Sequence, residues 1–392
     1  KSIIALGLMI LVDRGQCSLE DDVVKFIPEF AEVRVVADAS NDAPTPEDQP
    51  VKRPLTLRLL LTHCTGLGYG KEFNFEPEGP AERSYLQLVT DVEEGTVTSI
   101  RDFCIRLAAI PLRQQPGTSF DYSYSLDVIG RVIEVVSGLS LDNFLEKGLF
   151  KPLGMADTGF SVPTKKLKRL SALYGSLGTA VSLGEATMDR KLDEEWDLIR
   201  IDGQTPAESA WAEGKHCQVL SGGGIMGYNC GGLVSTMNDQ ARLFLMVANG
   251  GELPGGPRIL RQETVDEMVA CDWLALPTCL GAPQTNKGYA GVTAPGLFGW
   301  NALGELGTEP CTEEGKVFEE GEYGYAGIAE TFWSVNPKRE LIILWFTQQV
   351  DNFSWSDEEA NIWTAARKAV SSVRPKKVER EGSRLPTTVT ES

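Results

Sequence analysis

The sequence predicts an α/β chain of the α+β kind, with helices through most of its length and paired strands near its C-terminal end. Three observations carry this. Ile3, Ile4, Leu6, Leu8, Met9, Ile10 and Leu11 are apolar almost all round, as in a helix buried on every side. Asp127-Val-Ile-Gly-Arg-Val-Ile-Glu-Val-Val-Ser-Gly138 has helical spacing and ends on a glycine suited to the left-handed position past a helix. Thr331–Val335 and Leu341–Thr347 are β-branched and aromatic runs joined by Asn336-Pro-Lys-Arg339, which reads as a hairpin.

Taken in order, the first helix closes at Gly15, and Ser18-Leu-Glu-Asp-Asp22 opens a short acidic turn. Residues 38–54, carrying Asn41, Asp42, Pro44, Pro46, Pro50 and Pro54, form a polar loop, and a second helix begins near Thr56. Residues 161–215 are polar and irregular. Thr236-Met-Asn-Asp239 resembles a capping box with Asp in place of Glu, ahead of a helix that Asn249-Gly-Gly251 ends. A last helix is expected over 356–372, and the charged, Pro/Ser/Thr-rich stretch from Arg374 reads as a loose tail.

Composition narrows the function. The chain has 392 residues, 42% apolar and 23% charged, enough for a large core and unlike a disordered chain. With 37 basic against 55 acidic residues its net charge is −18, which repels a phosphate backbone and disfavours nucleic acid and anionic membranes. The longest apolar run, Ser2 to Val12, is too short to span a bilayer, which takes roughly 20 residues. Only His63 and His216 are histidines, and neither has a metal-ligand spacing, so metal catalysis is not expected. The eight cysteines lie far apart with no C-x-x-C and read mostly as free thiols, which leans toward a reducing, cytoplasmic setting while leaving the compartment open. Gly222-Gly-Gly224-Ile-Met-Gly227 formally matches a dinucleotide fingerprint but lacks the strand before and the helix after it, and reads instead as a Gly-rich approach to the Thr236 helix.

Three segments stand in a telling order: Pro54-Leu-Thr-Leu-Arg-Leu-Leu-Leu-Thr-His-Cys-Thr-Gly-Leu67, Pro116-Gly-Thr-Ser-Phe-Asp-Tyr-Ser-Tyr-Ser-Leu-Asp-Val-Ile-Gly130 and Lys151-Pro-Leu-Gly-Met-Ala-Asp-Thr-Gly-Phe160. With Gly231-Gly-Leu-Val-Ser-Thr236 and Asn249-Gly-Gly-Glu-Leu253 they resemble the serine β-lactamase-like superfamily, which holds class C β-lactamases, penicillin-binding peptidases and family VIII carboxylesterases. The resemblance covers roughly residues 1–372 and is nearest the esterase-like members. It implies a β-lactamase/transpeptidase-like fold: an antiparallel sheet flanked by helices (1–35 and 216–372), a mostly helical inserted domain (36–215) and a flexible tail (373–392).

The family works with S-x-x-K, in which a Lys one helical turn after a Ser takes the hydroxyl proton as the oxygen attacks an acyl carbon. A Tyr then passes the proton to the leaving group, and a strand closes the cleft with backbone N–H groups for the oxyanion. The resemblance makes Lys1 the Lys of S-x-x-K. No Ser or Thr in the 392 residues has a Lys three positions later, so the nucleophilic Ser is expected three residues ahead of Lys1 in a longer chain; a relative without a nucleophile is the alternative. Tyr122 matches the proton-shuttling Tyr, and Tyr124 stands where penicillin-hydrolysing members carry Asn. Tyr325-Ala326-Gly327 falls where the closing strand lies, with Ile328 supplying an oxyanion N–H. His63 reads as a loop-fixing residue. The resemblance thus implies a serine hydrolase acting on a small-molecule ester through an acyl-enzyme, without metal or cofactor. An acyltransferase, or an inactive scaffold or binding protein, are the rivals, and the oligomeric state is open.

Overall fold

The computed structural model describes residues 1–37, 48–69, 80–182, 198–215, 219–223, 232–269, 272–280, 284–285, 297–307, 319–327 and 329–350. The expected helix over 356–372 and the tail lie outside the described residues.

Helix α1 (Ser2–Asp13) is buried from Ser2 to Leu11, and Gly15 closes it at φ +68°. This explains its unbroken apolarity: a helix lodged in the core has no wet face to pattern. Strands β1 (Arg34–Val35) and β2 (Gln49–Pro50) form a small ribbon. Helix α2 (Leu57–Leu61) begins as expected at Thr56, whose side chain accepts the Leu59 N–H. Helices α3 (Pro80–Glu93) and α4 (Ile100–Ala108) follow, then α5 (Ser125–Ser137), which ends on Gly138 at φ +69°. Helices α6 (Leu141–Leu145) and α7 (Lys151–Leu153) flank a π-helical turn over Glu146–Phe150. In the irregular middle, β3 (Tyr174–Gly175), α8 (Leu177–Ser182) and β4 (Ile199–Arg200) surround a small separate core of Leu173, Ala180, Ile199, Ile201 and Val350.

Thr236 caps α9 (Met237–Ala248) by accepting the Asp239 N–H at 3.2 Å. The expected capping box takes a different form, because the buried Asp239 carboxylate accepts the Asp157 N–H and the Thr158 hydroxyl, both at 2.8 Å. The cap thereby tethers α9 to the loop after α7. After α10 (Gln262–Val269) come β5 (Gln284–Thr285), β6 (Leu297–Trp300), β7 (Glu305–Gly307), β8 (Tyr323–Ala326), β9 (Thr331–Asn336) and β10 (Leu341–Phe346). They form one antiparallel sheet in the order β10-β9-β8-β7-β6-β5, each strand beside its neighbour in the chain. The expected hairpin is β9–β10, in register from Thr331↔Phe346 to Asn336↔Leu341.

The main core is continuous from α1 through α5 to Trp333 and Val335 of β9, with Phe244 of α9 stacked on Trp333 at 3.9 Å. Helix α1 lies against α5. At their crossing a side chain on Gly7 would come within 3.1 Å of Ile133 and Leu145 methyls, so the smallest residue sets the approach. This packing brings Lys1, the residue that precedes α1, close to Tyr122 just ahead of α5.

Candidate active site

Lys1 precedes α1, Tyr122 lies just ahead of α5, and Tyr325 is on β8. The fold brings the three together. Lys1 Nζ lies 5.0 Å from the Tyr122 ring centroid and 5.7 Å from that of Tyr69, so two aromatic faces share the ammonium. The Tyr325 hydroxyl donates to the Tyr122 hydroxyl at 2.6 Å. Lys1 also donates to the Gly223 carbonyl. Burial lowers the Lys1 amine from 10.5 to about 8, against the opposing pull of the Asp127 carboxylate. A lysine so tuned has a substantial neutral fraction near pH 8 and can accept a proton, which an ordinary lysine does poorly.

His63 fixes Tyr122. Its Nδ1 accepts the Ser123 N–H at 3.1 Å, its carbonyl accepts the Asp121 N–H at 2.8 Å, and its ring lies on Tyr122 with centroids 4.5 Å apart. A non-glycine φ of +52° at His63 is uncommon, and the hydrogen bonds on both sides of Tyr122 hold it there. Burial drives its pKa well below 6.5, so the ring is neutral and Nδ1 serves as an acceptor. The loop-fixing role expected of His63 is thus visible in its contacts. Beneath it the Ser123 and Ser125 hydroxyls lie 2.8 Å apart and Ser125 reaches Thr65 at 3.1 Å, joining the two motif segments. Gly66, at φ +83°, backs onto the Gln114 carbonyl where a side chain would collide.

Tyr124 does not join the cluster. It is fully buried, stacked on Tyr69 at 4.5 Å and edge-on to Phe103 at 5.4 Å, and its hydroxyl has no hydrogen-bond partner among the described residues. The place expected for it beside substrate is therefore corrected to a place in the core. Residues two apart share a face only in an extended chain, and Tyr124 is already the turned residue that opens α5, with φ −68° and ψ 13°. Ala326 pairs with Phe332 in the sheet, and the Gly327 N–H is committed to the Thr331 carbonyl at 2.7 Å. Ile328, the expected oxyanion donor, lies outside the described residues.

Tyr69 and Asp127 were not singled out from the sequence, although both sit in or beside its motifs. Asp127 is fully buried; its Oδ1 accepts the Ser221 hydroxyl at 2.6 Å and the Gly223 N–H at 2.8 Å. Among the described residues no group of three or more His, Cys, Asp or Glu could hold a metal ion, and Cys17, Cys64, Cys104 and Cys279 are free thiols. Nor, among those residues, is any helix long and apolar enough to cross a membrane.

The sequence matches the Beta-lactamase family profile over residues 1–367. The chain belongs to that family. It is 31% identical to acyltransferase calJ of Penicillium decumbens, over 89% of this chain and 74% of that protein. It is 31% identical to lovastatin esterase of Penicillium rubens, over 48% of this chain and 46% of that one. Among solved structures it is similar to EstCE1, described as a hydrolase with promiscuous acyltransferase activity, with a TM-score of 0.64, 21% identity, and coverage of 93% of this chain and 82% of that chain. The β-lactamase/transpeptidase-like fold expected from the motifs is therefore the fold of this chain, and its relatives include hydrolases and acyltransferases.

Proposed function

We propose that the protein is a serine hydrolase that cleaves a small-molecule carboxylic ester through an acyl-enzyme. The reading is carried by the cluster of Lys1, with its amine lowered to about 8, beside Tyr122, whose hydroxyl accepts from Tyr325. The nucleophile is a Ser three residues ahead of Lys1, which one helical turn would place on the Lys1 side of the helix. Its oxygen bonds to the acyl carbon as the Lys1 amine takes its proton. Tyr122 gives its proton to the leaving alkoxide as the C–O bond breaks and takes one back from the Lys1 ammonium, so the alcohol leaves and both groups are restored. The bond from Tyr325 polarises the Tyr122 hydroxyl and strengthens it as a donor. Water then attacks the acyl-enzyme by the reverse route and frees the acid. The similarity to acyltransferase calJ favours a second acceptor, an alcohol in place of water, through the same acyl-enzyme.

Esters fit the cluster better than β-lactams. An amide leaves as a basic amine that must be protonated as the bond breaks, and the places held by Asn and Lys in penicillin-hydrolysing members fall here on Tyr124 and Tyr325. The test is turnover of p-nitrophenyl butyrate and benzylpenicillin by the full chain, with fluorophosphonate labelling located by peptide mass spectrometry. Labelling of the Ser three residues before Lys1, with ester turnover and little penicillin turnover, is expected. Labelling elsewhere, or penicillin turnover equal to ester turnover, overturns the reading.

A further inference from the structure

Asp127 is a buried acid that the acyl-enzyme route leaves without a task. It stands in the first turn of α5, fully enclosed, with Oδ1 accepting two hydrogen bonds and Oδ2 accepting none among the described residues. Both donors come from one short segment, Ser221-Gly222-Gly223, some ninety-four to ninety-six residues further along the chain. The segment is glycine-rich for a reason other than nucleotide binding. A side chain on Gly222 would strike the Leu126 carbonyl, and one on Gly223 would strike Asp127 Oδ2. The free face of this segment is the Gly223 carbonyl, and it accepts from Lys1 Nζ.

We propose that Asp127 is the positioning residue for Lys1: its carboxylate binds Ser221 and the Gly223 N–H, turns the Gly223 carbonyl toward Lys1, and holds the ammonium beside Tyr122. The inference rests on the reading of Lys1 as proton acceptor. Without this clamp, burial would act on Lys1 unopposed and the amine would be hard to recharge after each proton transfer. Lys1 faces the Tyr69 and Tyr122 rings, the neutral His63 and the Gly223 carbonyl, and Asp127 is the charged side chain that acts on it among the described residues. Tyr124 and Cys104 also feel the Asp127 charge, and burial raises both well above their ordinary values, so they stay protonated and add no charge.

Asp127→Asn separates charge from shape. The Asn carbonyl can take over both bonds of Oδ1, while its NH₂ occupies the position of the partnerless Oδ2. In the full chain, reductive ¹³C-methylation of amines followed by NMR titration reads the Lys1 ε-amine directly, its signal assigned by Lys1→Arg, with no turnover needed. The unsubstituted protein should titrate near pH 8, Asp127→Asn about one pH unit or more lower, and Ser221→Ala lower by less, since it removes one of the two donors. The acid limb of ester hydrolysis should move the same way. An unmoved Lys1 midpoint in both folded variants overturns the positioning role. A midpoint near the ordinary 10.5 in the unsubstituted protein instead overturns Lys1 as the base.

Discussion

Tyr124→Phe should stabilise the protein and spare its activity. The Tyr124 hydroxyl is fully buried and, among the described residues, accepts and donates nothing, so it has left water without compensation. A buried hydroxyl in that state costs about 1–3 kcal/mol. The ring contacts survive the substitution, since the stacking on Tyr69 at 4.5 Å and the edge contact with Phe103 involve carbon faces that Phe shares. Loss of one oxygen leaves a void smaller than a methyl group, which returns part of the gain, and the net is a stabilisation of about 1 kcal/mol. The assay is urea unfolding of both proteins, with the midpoint rising at unchanged slope, beside p-nitrophenyl butyrate turnover changed by less than about twofold. Destabilisation by more than about 1 kcal/mol would show that the hydroxyl has a partner. A loss of turnover like that of Tyr122→Phe would return Tyr124 to the site.

Tyr122→Phe should lower kcat for the ester by about 10²-fold or more, the range of a lost acid–base group, with unfolding midpoints confirming an intact fold. Tyr325→Phe removes only the donor to Tyr122 and should cost less, about tenfold in kcat; equality of the two losses would mean that Tyr325 itself moves the proton. His63 is held neutral in the folded state, so protons bind the unfolded chain preferentially between its depressed folded pKa and 6.5. Stability should therefore fall on acidification below about pH 6.5, by up to ~1.4 kcal/mol per pH unit, and the slope should shrink in His63→Asn, whose side chain tolerates the positive φ. Asp239→Ala should cost about 2–4 kcal/mol, since the carboxylate accepts two hydrogen bonds, whereas Thr236→Ala should cost about 1 kcal/mol as an ordinary cap; chemical denaturation that ranks them the other way would contradict the tether.

Elements whose signal is local were legible in the sequence. Helix α1 announces itself by unbroken apolarity, α5 by its spacing and Gly138, α9 by Thr236, and the β9–β10 hairpin by aromatic and β-branched runs around Asn336-Pro337. The middle strands were not, because Leu297–Trp300, Glu305–Gly307 and Tyr323–Ala326 are three or four residues long and mostly broken by glycine. Alternation cannot register in so short a span, and their pairing partners supply what their own residues lack. Tyr122 and Lys1 are marked by the family's spacing, and the structure brings these two residues side by side. Asp127 stood in the same quoted segment but its meaning lies in Ser221 and Gly223, and a single sequence holds no sign that those residues meet. Tyr124 was placed by the family's motif, where penicillin-hydrolysing members carry Asn, and motif spacing does not show that the chain has already turned into α5 there.

The sheet order, in which every strand lies beside its neighbour in the chain, has a kinetic consequence. Pairings of that kind close short loops and can form early, one hairpin after another. The Lys1 cluster is the opposite case: Tyr122 meets Tyr325 across 203 residues and Lys1 meets Gly223 across 222. Tyr325 is carried by β8, Tyr122 by the segment ahead of α5 and Lys1 by the start of α1, so the cluster needs the sheet and both helices in place at once. During refolding the β-sheet signal by circular dichroism should thus run ahead of recovered ester turnover, because local strand pairing does not require the long-range contacts of Lys1 and Tyr122.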